Sequence, residues 1–178
     1  MRLVLDACVI FPTIMREILI GCASARLFEP QWSERIIEEW LHAAEKLGGG
    51  ARAIAAAEAA VMKDQFPEAM VGAQTLPDIW LPDANDIHVL ETAINGAAAG
   101  LLTVNTKDFP LRILRDYDLG RFHPDPFLVS LAQEHSDVVR IAQAVQQKAE
   151  TISGRPQTLR SLLKRTGLPR LGKFLAQG

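Results

Sequence analysis

Residues 3–6 read Leu3-Val4-Leu5-Asp6, a continuous apolar run that stops on a carboxylate. A strand with one solvated face alternates between apolar and polar residues. An unbroken run belongs to a strand buried on both faces, the signature of a parallel sheet covered by helices. A second such run, Leu101-Leu102-Thr103-Val104, ends on Asn105. Strands separated by helical patterns indicate right-handed βαβ units.

The helical patterns are legible one by one. Pro12 suits a first helical turn, with Ile14, Ile18, Leu19 and Cys22 spaced behind it. Leu27-Phe28-Glu29-Pro30 reads as a short strand or extended link. Ser33 is a good N-cap, and Trp32 and Ile37 are spaced as a hydrophobic staple. Ile36, Ile37, Trp40, Leu41, Ala44 and Leu47 then make one apolar stripe, stopped by Gly48-Gly49-Gly50. Residues 51–65 are Ala-rich and helical in propensity, and Pro67 interrupts them. Ile79-Trp80-Leu81 reads as extended. A helix is expected to begin at Asp86 with Val89, Leu90, Ala93, Ile94 and Ala97 inward, and Phe122 to start a last short strand. From Pro126 onward the pattern is all helix, broken at Gly154-Arg155-Pro156 and anchored by Leu159, Leu162, Leu163 and Leu168.

Hydrophobic residues make up 48% of the 178-residue chain, enough to bury a core without disulfides or structural metal. Cys8 and Cys22, the two cysteines, sit among apolar neighbours and read as reduced, buried fillers. No apolar run approaches the roughly 20 residues of a membrane span. Asp6 also falls inside what would be the apolar stretch of a signal peptide. The expectation is a soluble cytoplasmic protein.

The net charge of −2 argues against a generic nucleic-acid coat. Its distribution is more telling. Arg155, Arg160, Lys164, Arg165, Arg170 and Lys173 are six cations in a stretch, 151–178, that holds no Asp or Glu. The first 150 residues then carry 13 cations against 21 anions. An acidic body with a basic tail fits a metal-binding cleft beside an element that attracts RNA phosphates. A solvated cationic helix face is the plainer alternative.

Ligands of open parallel sheets bind at the carboxyl ends of the strands, where the strand order reverses. Asp6 ends the first strand; Asn105 and Asp108 follow the second; Asp83 and Asp86 sit at the entry of the helix before it. Either Glu38 or Glu39 joins them from the helix after Ser33. At about 100° per residue the two fall on opposite flanks of the apolar stripe, and periodicity does not choose. Asp6 would be costly at the end of a buried run without a partner. Asp86 is also a natural helix N-cap, a role compatible with metal ligation. Asp83 reads equally as a turn residue, and Asp108 as the cap of a next short helix. Clustered carboxylates repel one another unless a hard divalent cation such as Mg2+ or Mn2+ relieves them. Such a site activates water against a phosphodiester and needs no covalent nucleophile. No Ser-His-Asp or Cys-His arrangement presents itself.

These stretches resemble the PIN domain, and within it the VapC-type toxin ribonucleases of toxin–antitoxin pairs. The resemblance is carried by Leu3-Val4-Leu5-Asp6-Ala7, by Trp32-Ser33-Glu34-Arg35-Ile36-Ile37-Glu38-Glu39-Trp40, by Asp83-Ala84-Asn85-Asp86-Ile87-His88-Val89-Leu90-Glu91-Thr92-Ala93, and by Thr103-Val104-Asn105-Thr106-Lys107-Asp108-Phe109-Pro110. It implies a three-layer α/β/α domain with a mostly parallel central sheet over residues 1–125, followed by a helical C-terminal extension over 126–178. It implies that Asp6, Glu39 and Asp86 are metal-site carboxylates, and so selects Glu39 over Glu38. Where many family members carry another Asp, this chain has Asn105, with Asp108 three residues on.

The expected function is a Mg2+- or Mn2+-dependent endoribonuclease, the toxin of a type II toxin–antitoxin system. Asp6, Glu39, Asp86 and Asp108 would hold the metal. Asn105 would orient a ligand or a water, Asp83 would stand behind the ligands, and Thr103 would hydrogen-bond one of the carboxylates. RNA is the expected substrate, an antitoxin protein the expected inhibitor, and a homodimer the expected assembly, with no membrane association. The rival reading is a catalytically weakened PIN-like module that binds RNA or protein. An aspartyl-phosphate phosphatase is disfavoured, because Cys8 occupies the place of its second Asp.

Overall fold

The computed structural model describes residues 1–72 and 74–177. In chain order it contains β1 (Arg2–Leu5), α1 (Ala7–Ile10), α2 (Thr13–Ser24), β2 (Glu29–Gln31), α3 (Glu34–Glu45) and α4 (Ala51–Gln65). There follow α5 (Ile87–Asn95), β3 (Gly100–Leu102), α6 (Leu111–Arg115), β4 (Gly120–Phe122), α7 (Pro124–Glu134), α8 (Asp137–Ser153), α9 (Leu159–Arg165) and α10 (Pro169–Phe174). Two compact units divide these elements. One joins Met1–Phe11 to Phe28–Phe122, and the other joins Pro12–Leu27 to His123–Gly178.

The first unit is an α/β fold on a parallel sheet of order β2-β1-β3-β4. Leu3, Val4 and Leu5 are at most 1% exposed, which is why their run does not alternate. A fully buried Leu or Val contributes about 1.5–3 kcal/mol. Gly100 pairs with Gly120, and a Cβ on Gly100 would lie 2.3 Å from the Gly120 carbonyl oxygen, so the closest approach of β3 and β4 requires glycine. The chain runs from β1 outward to β2 and returns to the other side of β1 as β3. The strand order therefore reverses between β1 and β3, and their carboxyl ends frame the crevice where α/β sheets bind ligands.

Local signals explain the helices of this unit. Ser33 caps α3 by accepting from the Ile36 amide at 3.4 Å, and Ile36, Ile37, Trp40 and Ala44 are buried. Leu47 lies beyond the end of α3 and is 71% exposed, so the stripe is one residue shorter than its spacing predicts. Gly48, Gly49 and Gly50 all have positive φ, which makes the sharp turn into α4. On α5, Val89, Leu90 and Ala93 are inward as expected, but Ala97 lies past the helix end with φ +46 and is exposed. Ile79–Leu81 lies outside the sheet, with Leu81 buried and Trp80 exposed. Phe122 ends β4 and does not start it.

The second unit is helical. On α2, Met15, Ile18, Leu19 and Cys22 are buried, and Gly21 lies against Ile141 of α8, where a Cβ would come within 2.6 Å. Lys148 of α8 pairs with Glu17 of α2 at 2.6 Å. Thr158 caps α9, and Gly167 at φ +84 turns the chain into α10. Asp125, in the first turn of α7 and 3% exposed, accepts from the Arg170 and Leu171 amides at 2.9 Å each. A buried carboxylate thus satisfies two otherwise orphaned donors at the start of α10. Among the described residues, no helix is long and apolar enough to cross a membrane.

Candidate metal centre

Asp6 follows β1 directly and is 7% exposed. Its Oδ2 accepts from the Thr103 hydroxyl at 2.6 Å and from the Cys8 thiol at 3.0 Å. Thr103 follows β3, fully buried, and its oxygen accepts in turn from the Asn105 amide at 2.9 Å. The Asn105 side chain then donates to Asp86 Oδ2 at 3.0 Å. One hydrogen-bonded chain therefore runs from the end of β1, across the end of β3, to the start of α5. Thr103 and Val104 fall outside β3, and Val104 is 41% exposed, so the strand is shorter than the apolar run. The hydroxyl of Thr103 serves the crevice, not the core.

Asp86 makes no capping bond. Asp83 caps instead, accepting from the Asn85 amide at 2.9 Å and from its side chain at 3.0 Å. The cap role anticipated for Asp86 thus belongs to Asp83, which leaves the Asp86 carboxylate free to face Asn105. Burial pushes the Asp86 carboxyl up from 3.8 to about 6, with further upward pressure from the charges of Asp6, Asp83, Asp108 and Glu39. Asp108 is half-buried.

Glu39 on α3 is half-buried, with Oε1 2.7 Å from Nε2 of His88 and 3.8 Å from Nε of Arg35. Glu38 is exposed and pairs with Arg52 at 2.6 Å. The two glutamates that periodicity left equal are separated by these partners. His88 is 6% exposed, and despite its nearness to Glu39 neither ring nitrogen has a well-aligned hydrogen-bond partner. The six basic residues of the tail, Arg155, Arg160, Lys164, Arg165, Arg170 and Lys173, belong to the second unit and are all exposed.

Sequence reasoning overlooked two residues at this site. His88 comes two positions after Asp86 and is buried with its apolar neighbours Val89 and Leu90, a polar residue in an inward place. Cys8 reads in the sequence as a reduced, buried filler among apolar neighbours; its thiol is free, half-buried, and donates to Asp6. Burial, then the charge of Asp6, raises that thiol to about 12, so it stays protonated at neutral pH and is a donor, not a nucleophile. Cys22 matches the filler reading: it is free, buried, and raised to about 12 by burial and by Asp137.

Carboxylates from β1, α3, the entry to α5 and the segment after β3 thus share one electrostatic neighbourhood. Their oxygen donors suit a hard divalent ion, and the upward push on Asp86 is the strain such an ion relieves. The side chains are not drawn together around a point: among the described residues, no three of His, Cys, Asp and Glu are disposed to hold a metal ion. Asp6 is turned to Thr103 and Cys8, Glu39 to His88, and Asp86 to Asn105.

The PIN domain family matches residues 2–107, from β1 to the residue before Asp108. The chain belongs to the PIN-domain family. No curated protein and no solved structure matches it. PIN domains are generally nucleases and generally use divalent metal ions. The parallel sheet and its helices are the architecture that the PIN resemblance implied.

Proposed function

We propose that this PIN domain is a Mg2+- or Mn2+-dependent endoribonuclease and the toxin of a type II toxin–antitoxin system. The observation that carries the reading is the crowding of four acidic charges around Asp86 at the switch point of the sheet. Asp6, Glu39, Asp86 and Asp108 hold the ion on this reading. Bound there, a divalent cation supplies charge neutralisation and acidifies water for attack on a phosphodiester. The chain's own residues do the positioning. Thr103 and Cys8 fix one oxygen of Asp6, and Asn105 fixes one oxygen of Asp86, leaving the second oxygen of each for ligation. Asp83 would stand behind these ligands, one of its oxygens shaping the entry to α5. The proposal extends to an antitoxin protein as inhibitor, to a homodimer, and to action in the cytoplasm.

A weakened binding module is the second reading. It is favoured by the amide at Asn105 and by the disposition of the acidic side chains, no three of which, among the described residues, are set to hold a metal ion. Cleavage of RNA by the full chain, with Mn2+ or with EDTA, separates the two when run beside Asp6→Asn. Chelator-sensitive cleavage abolished by Asp6→Asn supports the nuclease. Equal, chelator-insensitive cleavage by both proteins, or none by either, dismisses it.

A further inference from the structure

Several surface cations are answered by carboxylates, Arg2 by Glu29, Arg52 by Glu38, Lys63 by Glu34, Arg140 by Asp137 and Lys148 by Glu17, whereas the exposed Arg26, Lys46, Lys107, Arg112 and Arg115 have no acid partner among the described residues. The hairpin of α9 and α10 gathers such cations in one short stretch that holds no Asp or Glu. Its cations Arg160, Lys164, Arg170 and Lys173 are exposed, and among the described residues none of them pairs with an acid. Among the described residues, the side chain of Arg165 is bonded to the neutral Gln157 and to no acid.

The four are mounted, not scattered. Arg160 and Lys164 are one turn apart on α9, and Arg170 and Lys173 one turn apart on α10. The helices cross where Gly172 meets Arg160: a Cβ on Gly172 would lie 3.2 Å from the Arg160 carbonyl oxygen. Lys173 follows Gly172 directly in sequence. The buried Asp125 carboxylate pins the start of α10, and Leu162, Leu163, Leu168 and Leu171 turn inward at 4% exposure or less.

We infer that the α9–α10 hairpin is a docking surface for the phosphate backbone of single-stranded RNA. Unpaired cations on a rigid support gain most from a polyanion, because each phosphate contact releases condensed counterions. A lipid surface is the competing polyanion, and the hairpin lacks what it needs. An interfacial helix buries an apolar face among the headgroups. Here that face is already used inside the unit, and the large exposed hydrophobic side chains of the described residues all lie outside residues 155–177. The inference borrows its RNA ligand from the proposed nuclease reading, but it requires no cleavage.

The test is binding of a labelled single-stranded RNA to the full chain in EDTA, across a series of KCl concentrations. Charge is removed by Arg160→Gln, Lys164→Gln, Arg170→Gln and Lys173→Gln together. Truncation is avoided, because it would also strip Leu168 and Leu171 from the core. The salt slope is expected to flatten by about 3, at roughly 0.7 per phosphate contact, and affinity at 0.1 M salt to fall at least about tenfold. The charge-preserving pair Arg160→Lys and Arg170→Lys should keep the slope. An unchanged slope in a neutralised protein that melts like wild type overturns the inference, as does loss of slope in the charge-preserving pair. So does a neutralised protein that loses only its binding to phosphatidylglycerol vesicles. Failure of the nuclease reading looks different: no cleavage with Mn2+, while the slope still responds to the four substitutions.

Discussion

Asn105 donates its side-chain amide to Asp86 Oδ2 at 3.0 Å, so the segment after β3 holds a carboxylate at the start of α5. Asn105→Asp deletes that donor and adds a charge beside a carboxyl already pushed up to about 6. In EDTA the variant should melt below wild type. With Mn2+ the order should reverse, and Mn2+ should bind roughly tenfold more tightly, the scale of one added interaction of about 1.4 kcal/mol. Titration calorimetry beside thermal melts reads both. Weaker Mn2+ binding by the variant would count against a metal at this position.

Thr103 is fully buried, and its hydroxyl is 2.6 Å from Asp6. Thr103→Val keeps the shape and removes the donor, along with the acceptor of the Asn105 amide. The expected cost is about 1.5–3 kcal/mol, the range for a hydrogen bond to a charged group. Thr103→Ser should recover most of it. Urea unfolding measures the difference, and a Val variant as stable as wild type would show that the contact carries no net stability.

Asp86 gives a pH signature. Its carboxyl titrates near 6 in the folded chain against an ordinary 3.8, so between those values the folded state binds more protons than the unfolded one. Stability therefore falls as pH rises through that window, and the loss is complete above about 6. Asp86→Asn has no such charge. In EDTA it should melt above wild type at neutral pH, with the gap closing toward the acid end of the window. A gap of constant size at every pH would assign the effect to something other than ionisation.

His88 separates stability from function. Both ring nitrogens are buried without a well-aligned partner, which costs about 1–3 kcal/mol that an apolar side chain avoids. His88→Leu should unfold at an equal or higher urea concentration. On the proposed reading it should also lose about 10- to 100-fold in Mn2+ affinity, because Glu39 loses the ring 2.7 Å away. Lower stability with unchanged Mn2+ affinity would make His88 purely structural.

What could be read in advance, and what could not, divides along physical lines. Asp6 was legible because an apolar run ending on a carboxylate is costly unless something receives the charge. Ser33 was legible because capping is a local bargain between a hydroxyl and an amide three residues on. Glu38 and Glu39 were not separable, since what parts them is Arg52 from α4 and His88 from α5. Cys8 looked like filler because its second neighbour, Thr103, is 95 residues away in sequence. The strand after Gly100 was read too long because periodicity registers apolar character, and Val104 is apolar but exposed. The second unit was legible as helix, whereas the membership of α2 in it rests on contacts such as Gly21 with Ile141.

That membership has a consequence for how the molecule is made. Helix α2 meets α8 only when Ile141 has been translated, 120 residues after Gly21. At about 5–20 residues per second, Met15, Ile18, Leu19 and Cys22 wait on the order of ten seconds with their apolar side uncovered. During that interval the nascent chain displays a greasy helix, a natural target for a chaperone and a place where folding can go astray. Stopping translation before Ile141 would make the exposure permanent.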